Sequence, residues 1–264
     1  AYYVSYKVEP FLHTLAIFDK PDGGMGGLPY LRALFGDDDY IRFDEAQVTN
    51  LQVSGLGTCN TIFLLNLREI SSGLASELKK SVLNGSTVVF FPEYNGKIES
   101  YNHFLGMMGA NRIVGLDTAR KVISGIDWDN PVFDQVFSNT SDDPEFPQIH
   151  GNFSFSEDTR IAEARLLWFR NGAKAVSVQS AGDGNLVVFS FPLSAQNDEF
   201  ARDILFVPTL YGLAINSLPR QKIAYSIGGS YYASLSRQNS HDPLTLSAIS
   251  SASGREFIPE VTPG

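Results

Sequence analysis

The chain has 264 residues, 43% of them hydrophobic and 19% charged, which is enough to bury a full core and argues against disorder over most of its length. A formal net charge of −9 argues against a nucleic-acid or anionic-membrane surface, since both need clustered Lys and Arg and no basic run occurs. The single cysteine, Cys59, excludes an intramolecular disulfide framework and any multi-cysteine metal site.

In chain order, YYVSYKVEP (residues 2–10) alternates like a strand with one apolar face and stops at Pro10. HTLAIFDK (13–20) is a short apolar run that leads into the glycine-rich PDGGMGG. LPYLRALFG (28–36) then places Pro29 early in a helix and Gly36 after it. The acidic GDDDY (36–40) puts three acids on adjacent positions rather than at the alternate ones of a calcium loop, so it reads as a solvated turn. YIRFDEAQV (40–48) and CNTIFLLNL (59–67) are strands, the second apolar through its centre as a strand covered on both faces should be. SSGLASELKKSVLNG (71–85) has a serine cap, Leu74, Leu78, Val82 and Leu83 at helical spacing, and Gly85 as a stop. STVVFFPEY (86–94) is again a strand, followed by a turn and a helix up to Gly109. This alternation predicts a parallel, doubly wound α/β sheet.

Beyond Gly109 the pattern changes. DWDNPVFDQVF (127–137) suggests a short capped helix, and TSDDPEFPQIHGNFSF (140–155) a proline-bearing loop that enters a strand. Residues 164–194 read as strands, with a turn at Asp183-Gly184 between the last two. DEFARDILFVPTLYGLAINS (198–217) is a helix pair broken near Pro208. From about Leu218 the chain is rich in Ser, Gly and Tyr and reads as β material of a different, incomplete module. No run approaches the roughly 20 apolar residues that span a bilayer. With no Met at its start and a last segment that closes no element, the chain is expected to be a segment of a longer protein.

Three places invite a chemical reading. The glycine loop lies between a core strand and a helix, where backbone amides could hold an anion. It lacks the third glycine of a dinucleotide fingerprint and the Lys-Ser/Thr of a P-loop, and Asp19 and Asp22 oppose a phosphate, so it reads as a connection. The strand-turn-helix junction VVFFPEYNG occupies the place of a nucleophile elbow but offers Pro92, Glu93, Tyr94 and Asn95 instead of Ser or Cys between small residues. Cys59 reads as a small buried hydrophobe, because no spacing puts His13, His103, His150 or His241 beside it, and the four histidines form no metal pattern. The sequons at Asn84, Asn139 and Asn152 carry little weight.

Two groups of strings carry a resemblance. The first is YLRALFG, EISSGLASELKKSVLNGSTVVFFP and SYNHFLGMMGANR, and the second is DILFVPTLYGLAINS; together they span residues 16–217. They resemble the periplasmic region of the BatA-domain, aerotolerance-regulator-type membrane proteins typical of Bacteroidetes, which contain a domain similar to class I glutamine amidotransferases. The resemblance implies a flavodoxin-like, amidotransferase-like doubly wound, mostly parallel sheet over residues 11–217. Residues 1–10 would be the last strand of a preceding β-sandwich module, and 218–264 an incomplete β-rich segment of the next. It also implies a soluble segment on the periplasmic face of a membrane-anchored parent, with envelope or membrane proteins of the Bat type as partners. Active amidotransferases carry a Gly-x-Cys-x-Gly elbow and a late His-x-Glu pair; VVFFPEYNG and FPLSAQNDEF have neither, so no catalytic residue carries over.

The expected function is therefore a non-catalytic extracytoplasmic interaction or scaffold domain, without cofactor, metal or nucleic acid. The alternative is a ligand-sensing or divergent hydrolase-like domain that uses a crevice at the carboxyl ends of the strands, with Asp19, Asn66, Glu93 and Tyr94 as its candidate residues.

Overall fold

The computed structural model describes residues 11–19, 26–133 and 146–217, together with two short strands at 248–249 and 256–257. The chain divides into two compact units, residues 6–221 and a second that joins 1–5 to 222–264. In the second unit the described residues form one antiparallel pair, Ala248–Ile249 with Glu256–Phe257. The strand expected at 1–10, and the β-rich segment expected over 218–264 apart from that pair, lie outside the described residues.

The first unit is built on a nine-stranded sheet. Its elements are β1 (Leu12–Phe18), α1 (Leu28–Phe35), β2 (Ile41–Gln47), β3 (Thr61–Leu67), α2 (Ser72–Leu83), β4 (Thr87–Pro92), α3 (Ile98–Met107), β5 (Ile113–Ile126), β6 (Gln148–Phe155), β7 (Ala164–Phe169), β8 (Lys174–Ala181), β9 (Gly184–Phe189), α4 (Asp198–Arg202) and α5 (Phe206–Ile215). The strand order is β2-β1-β3-β4-β9-β8-β7-β5-β6. From β2 to β9 every pairing is parallel, and from β9 to β6 every pairing is antiparallel. The expected mostly parallel sheet is thus corrected to a mixed one. Its parallel half has the 2-1-3-4-5 order of flavodoxin-like folds, with β9 in the fifth place.

Helices cover both faces of the parallel half, which explains why β3 and β4 are apolar throughout. Ile62, Leu64, Val88 and Phe90 point to α2 and α3, where Leu74, Leu78, Val82, Tyr101 and Phe104 are buried. Phe63, Leu65, Val89 and Phe91 point the other way, to Leu31 and Phe35 of α1 and to Phe200, Leu210 and Leu213. Each such fully buried side chain contributes about 1.5–3 kcal/mol relative to exposure. Ser71 caps α2 by accepting from the Leu74 amide at 3.2 Å, as its position before the apolar run requires.

Three local expectations change. The β8–β9 hairpin turns at Gly182-Asp183, one residue earlier than expected, because Ala181 pairs with Gly184 and Gly182 takes a positive φ of 61°. The helix pair near the end breaks at Asp203–Leu205, and Pro208 sits in the first turn of α5, where its missing N–H costs nothing. Of the helix expected over 127–137, residues 127–130 are a turn and 131–133 a single 3₁₀ turn, while 134–137 lie outside the described residues. The 14-residue β5, for which the sequence offers no clear signal, pairs first with β6 and then with β7. Val114 and Leu116 are exposed there, so its apolar alternation does not mark a buried face.

Candidate functional site

The chain order reverses between β1 and β3, so the crevice at their carboxyl ends is where ligands bind in open α/β sheets. Asp19 follows β1. Asn66 lies at the end of β3, where the register slips between Leu65 and Leu67 against β4. That slip forces Asn66 into left-handed backbone, φ 50°, a conformation that non-glycine residues adopt at a cost. Its Nδ2 donates to the Leu193 carbonyl at 2.8 Å, while its Oδ1 is buried with no protein partner.

Glu93 and Tyr94 form the turn after β4, closed by the Gly96 amide donating to the Glu93 carbonyl at 2.9 Å. Below the turn, Tyr101 of α3 is fully buried; its hydroxyl donates to the Leu67 carbonyl at 2.5 Å and accepts from the Glu93 amide at 3.1 Å. A Cβ on Gly96 would lie 1.8 Å from that hydroxyl, so the turn closes only over glycine. Burial pushes the Tyr101 phenol up to about 12; the Glu93 and Asp19 carboxylates act in the same direction and Arg68 against it. These three charged groups therefore share one neighbourhood. Tyr101 itself stays a neutral donor and holds the turn shape.

Tyr94 is used differently. Its hydroxyl shares its proton between the carbonyls of His150 (2.9 Å) and Gly151 (2.5 Å) on β6, and accepts from Asn197 Nδ2 at 3.1 Å. Asn197 is fully buried, also donates to the Pro192 carbonyl and accepts the His150 amide at 2.8 Å. Burial raises the Tyr94 phenol, the Asn197 bond opposes that rise and the Glu93 charge adds to it. The hydroxyl of Tyr94 is thus consumed in joining the β4 turn to β6 and to the segment after β9.

The same segment closes the other side of the crevice. Leu193 receives the Asn66 amide, its side chain lies where a Cβ on Gly27 would sit, and Ser194 forms a bridge with Gly26 ahead of α1. Residues 20–25 of the glycine loop lie outside the described residues. Of the four candidate residues, Asp19 and Glu93 share the Tyr101 neighbourhood, whereas Asn66 and Tyr94 spend hydrogen-bonding groups on the protein itself. Among the described residues, the Glu93 carboxylate forms no hydrogen bond with a second titratable group.

One arrangement contradicts the sequence reading. His13 lies beside Cys59, with Sγ 3.8 Å from Nδ1, and its Nε2 is 2.7 Å from Asp44 Oδ2. Neighbouring strands β1 and β3 produce this: the His13 amide donates to Asn60 Oδ1, and the Asn60 amide to the His13 carbonyl. No sequence spacing of 46 residues signals it; only the strand order does. A Cys-His-Asp row has the look of an activated nucleophile, but burial pushes this thiol up to about 11, and Cys59 is 4% exposed. At neutral pH it is a protonated thiol facing Nδ1, with the imidazole N–H directed at Asp44. The thiol and carboxylate lie on opposite ring nitrogens and so do not converge on one metal position. The row also stands at the amino ends of the strands, away from the crevice. Asn152, at one of the sequons, is buried, with its Nδ2 donating to the Phe153 carbonyl, and is closed to modification in the folded state.

No family model matches the chain, and no curated protein matches it. Solved structures do. A cytoplasmic protein of Salmonella typhimurium LT2 is similar at a TM-score of 0.58 with 12% identity, covering 81% of this chain and 100% of that one. A second Salmonella typhimurium cytoplasmic protein reaches 0.56 with 11% identity over 78% and 98%. A ThuA-like protein from Bacteroides uniformis reaches 0.56 with 15% identity over 81% and 94%. At these identities the likeness shows the fold alone: a mixed α/β sheet whose parallel half has the flavodoxin-like strand order.

Proposed function

We propose that this chain is a non-catalytic interaction or scaffold domain of a membrane-anchored envelope protein, exposed on the periplasmic side, with partners of the Bat type. The observation that carries the loss of catalysis is the state of the elbow. Where amidotransferases hold a cysteine, this chain places a turn whose Tyr94 is bonded into β6 and Asn197, over a Tyr101 locked to Leu67. An elbow wired into the fold in this way offers no cysteine or serine nucleophile, and its one hydroxyl is already bonded within the protein. The envelope placement rests on the sequence resemblance over residues 16–217.

Two experiments test the reading. Glutaminase and esterase turnover are expected to be absent; turnover abolished by Glu93→Ala would overturn the non-catalytic part. A fusion of the parent protein at this segment to alkaline phosphatase, which is active only outside the cytoplasm, is expected to be active, and an inactive fusion with a stable product would overturn the placement.

A second reading, ligand sensing in the crevice, has one observation in its favour: Asn66 combines strained backbone with a buried Oδ1 that has no protein partner, at the switch point of the sheet. A thermal-shift screen of the wild type and Glu93→Ala against amino acids, nucleotides, sugars and divalent metals tests it. A ligand at a hundredfold over its dissociation constant adds about 2.7 kcal/mol. A shift lost in the variant would favour sensing.

A further inference from the structure

The antiparallel half of the sheet carries a cavity of about 270 Å³ that belongs to no part of the crevice. It lies between the β6–β7 loop and the β7–β8 hairpin. Its floor is an ion pair with little access to water: Lys174 Nζ is 2.5 Å from Glu163 Oε2, with side chains 19% and 10% exposed. Asn111, itself 4% exposed, donates to the same Glu163 oxygen at 2.7 Å. Its Oδ1 accepts the Asp158 amide at 3.0 Å and the Ser156 hydroxyl at 3.2 Å, which fixes the loop over the floor. A pair sunk this far contributes little to stability over an apolar substitute, because desolvation offsets the attraction. A fixed polar floor under an open cavity is instead what a polar ligand requires.

The walls carry charges that remain available. Arg165, on β7, lies over the Trp168 ring at 5.6 Å and gives one N–H to the Gly172 carbonyl at 3.2 Å, which orients its guanidinium and leaves other donors free. Glu157, on the loop, lines the same cavity, and among the described residues its carboxylate forms no hydrogen bond or ion pair. Asp158 is already held by Arg160 at 2.6 Å. A ligand with one charge would leave one of the two uncommitted groups without a partner. The volume lies just under the roughly 300–1,000 Å³ of pockets for drug-sized ligands. We propose that this cavity binds a small zwitterion of the amino-acid or dipeptide class, with its carboxylate on Arg165, its ammonium on Glu157, and its body over the Glu163–Lys174 pair. The site is independent of the scaffold reading and of the crevice. Guanidinium–carboxylate contacts are bidentate and charge-assisted, so each end of the ligand is recognised separately.

The test uses the isotopically labelled 264-residue chain, titrated with dialanine and followed by backbone amide shifts. N-acetylalanine, which lacks the ammonium, and alaninamide, which lacks the carboxylate, are the matched probes. Saturable shifts confined to residues 157–174 and to the neighbours of Asn111 are expected with dialanine, with about tenfold weaker binding of either probe, the size of one lost charge-assisted contact. Arg165→Gln is expected to bring dialanine down to the level of alaninamide, and Glu157→Gln to the level of N-acetylalanine. Both positions are exposed, so urea midpoints should move little, with Arg165→Gln losing only its surface contacts with Gly172 and Trp168. The three probes test the wild type regardless of how the variants fold. The proposal is overturned by an absence of saturable shifts at millimolar dialanine, by equal binding of all three probes, or by shifts centred on Asn66 and Glu93 instead.

Discussion

Tyr94→Phe removes one oxygen from the junction and separates a structural tyrosine from a ligand-facing one. In the wild type that oxygen shares a proton between two carbonyls, at 2.9 and 2.5 Å, and accepts one amide hydrogen at 3.1 Å. Phenylalanine keeps the ring against Phe153, 6.0 Å away between centroids, so packing is unchanged and only polar terms move. Each bond contributes about 0.5–1.5 kcal/mol, and a buried partner left unpaired costs more. Asn197 retains its bond to the Pro192 carbonyl, which limits the loss on that side. The expected destabilisation is about 2 kcal/mol, or roughly 4–8 °C in Tm for a unit of this size. Urea unfolding measures it as a lower midpoint at unchanged slope. Glu93→Gln, next door but without a side-chain bond, is the control and should stay within about 0.5 kcal/mol. A Tyr94→Phe loss below about 0.5 kcal/mol would refute the reasoning, because the hydroxyl would then be idle in the fold and free for a ligand.

Further expectations are equally concrete. Gly96→Ala should destabilise by about 1–3 kcal/mol through the contact with Tyr101, and Tyr101→Phe should recover part of that loss in the double variant; strict additivity would show that the two do not touch. Iodoacetamide should label Cys59 in the folded protein at least about 100-fold more slowly than in urea, since a thiol at about 11 rather than its ordinary 9.0 carries that much less thiolate at pH 8. The same displacement has a consequence for stability. The unfolded thiol loses its proton near 9.0 and the folded one near 11, so the contribution is complete below pH 9 and disappears as pH rises towards 11; urea midpoints of wild type and Cys59→Ala across that range measure it. Asn66→Ala should cost about 2 kcal/mol from left-handed strain and the lost Leu193 bond, whereas Asn66→Gly, free of the strain, should cost about 1 kcal/mol or less by the same denaturation assay.

Much of the parallel half was legible in the residues. The boundaries of β3, α2 and β4 follow from apolar runs, the Ser71 cap and the stop at Gly85, all local signals. The antiparallel half was less so. β5 runs 14 residues with its first half largely exposed, so it carries no two-sided apolar pattern, and its partner strands lie far along the chain. The candidate site divides in the same way. Glu93 and Tyr94 were visible as the occupants of an elbow without a nucleophile, because that depends on residue types in a row. That Tyr94 belongs to β6 and Asn197, and Asn66 to Leu193, depends on contacts across 56 to 127 residues.

By itself, the sequence determined the period of each core strand, the cap and stop of α2, and the absence of a cysteine at the elbow. Each is a matter of side-chain type at fixed local spacing. Only the tertiary structure decided that β9 joins the parallel half, that His13 stands beside Cys59 and Asp44, and that Glu163, Lys174, Asn111 and Arg165 enclose one cavity. Those are questions of which strands become neighbours. Strand order is settled by burial of both sheet faces at once, a global balance that no single stretch of residues encodes.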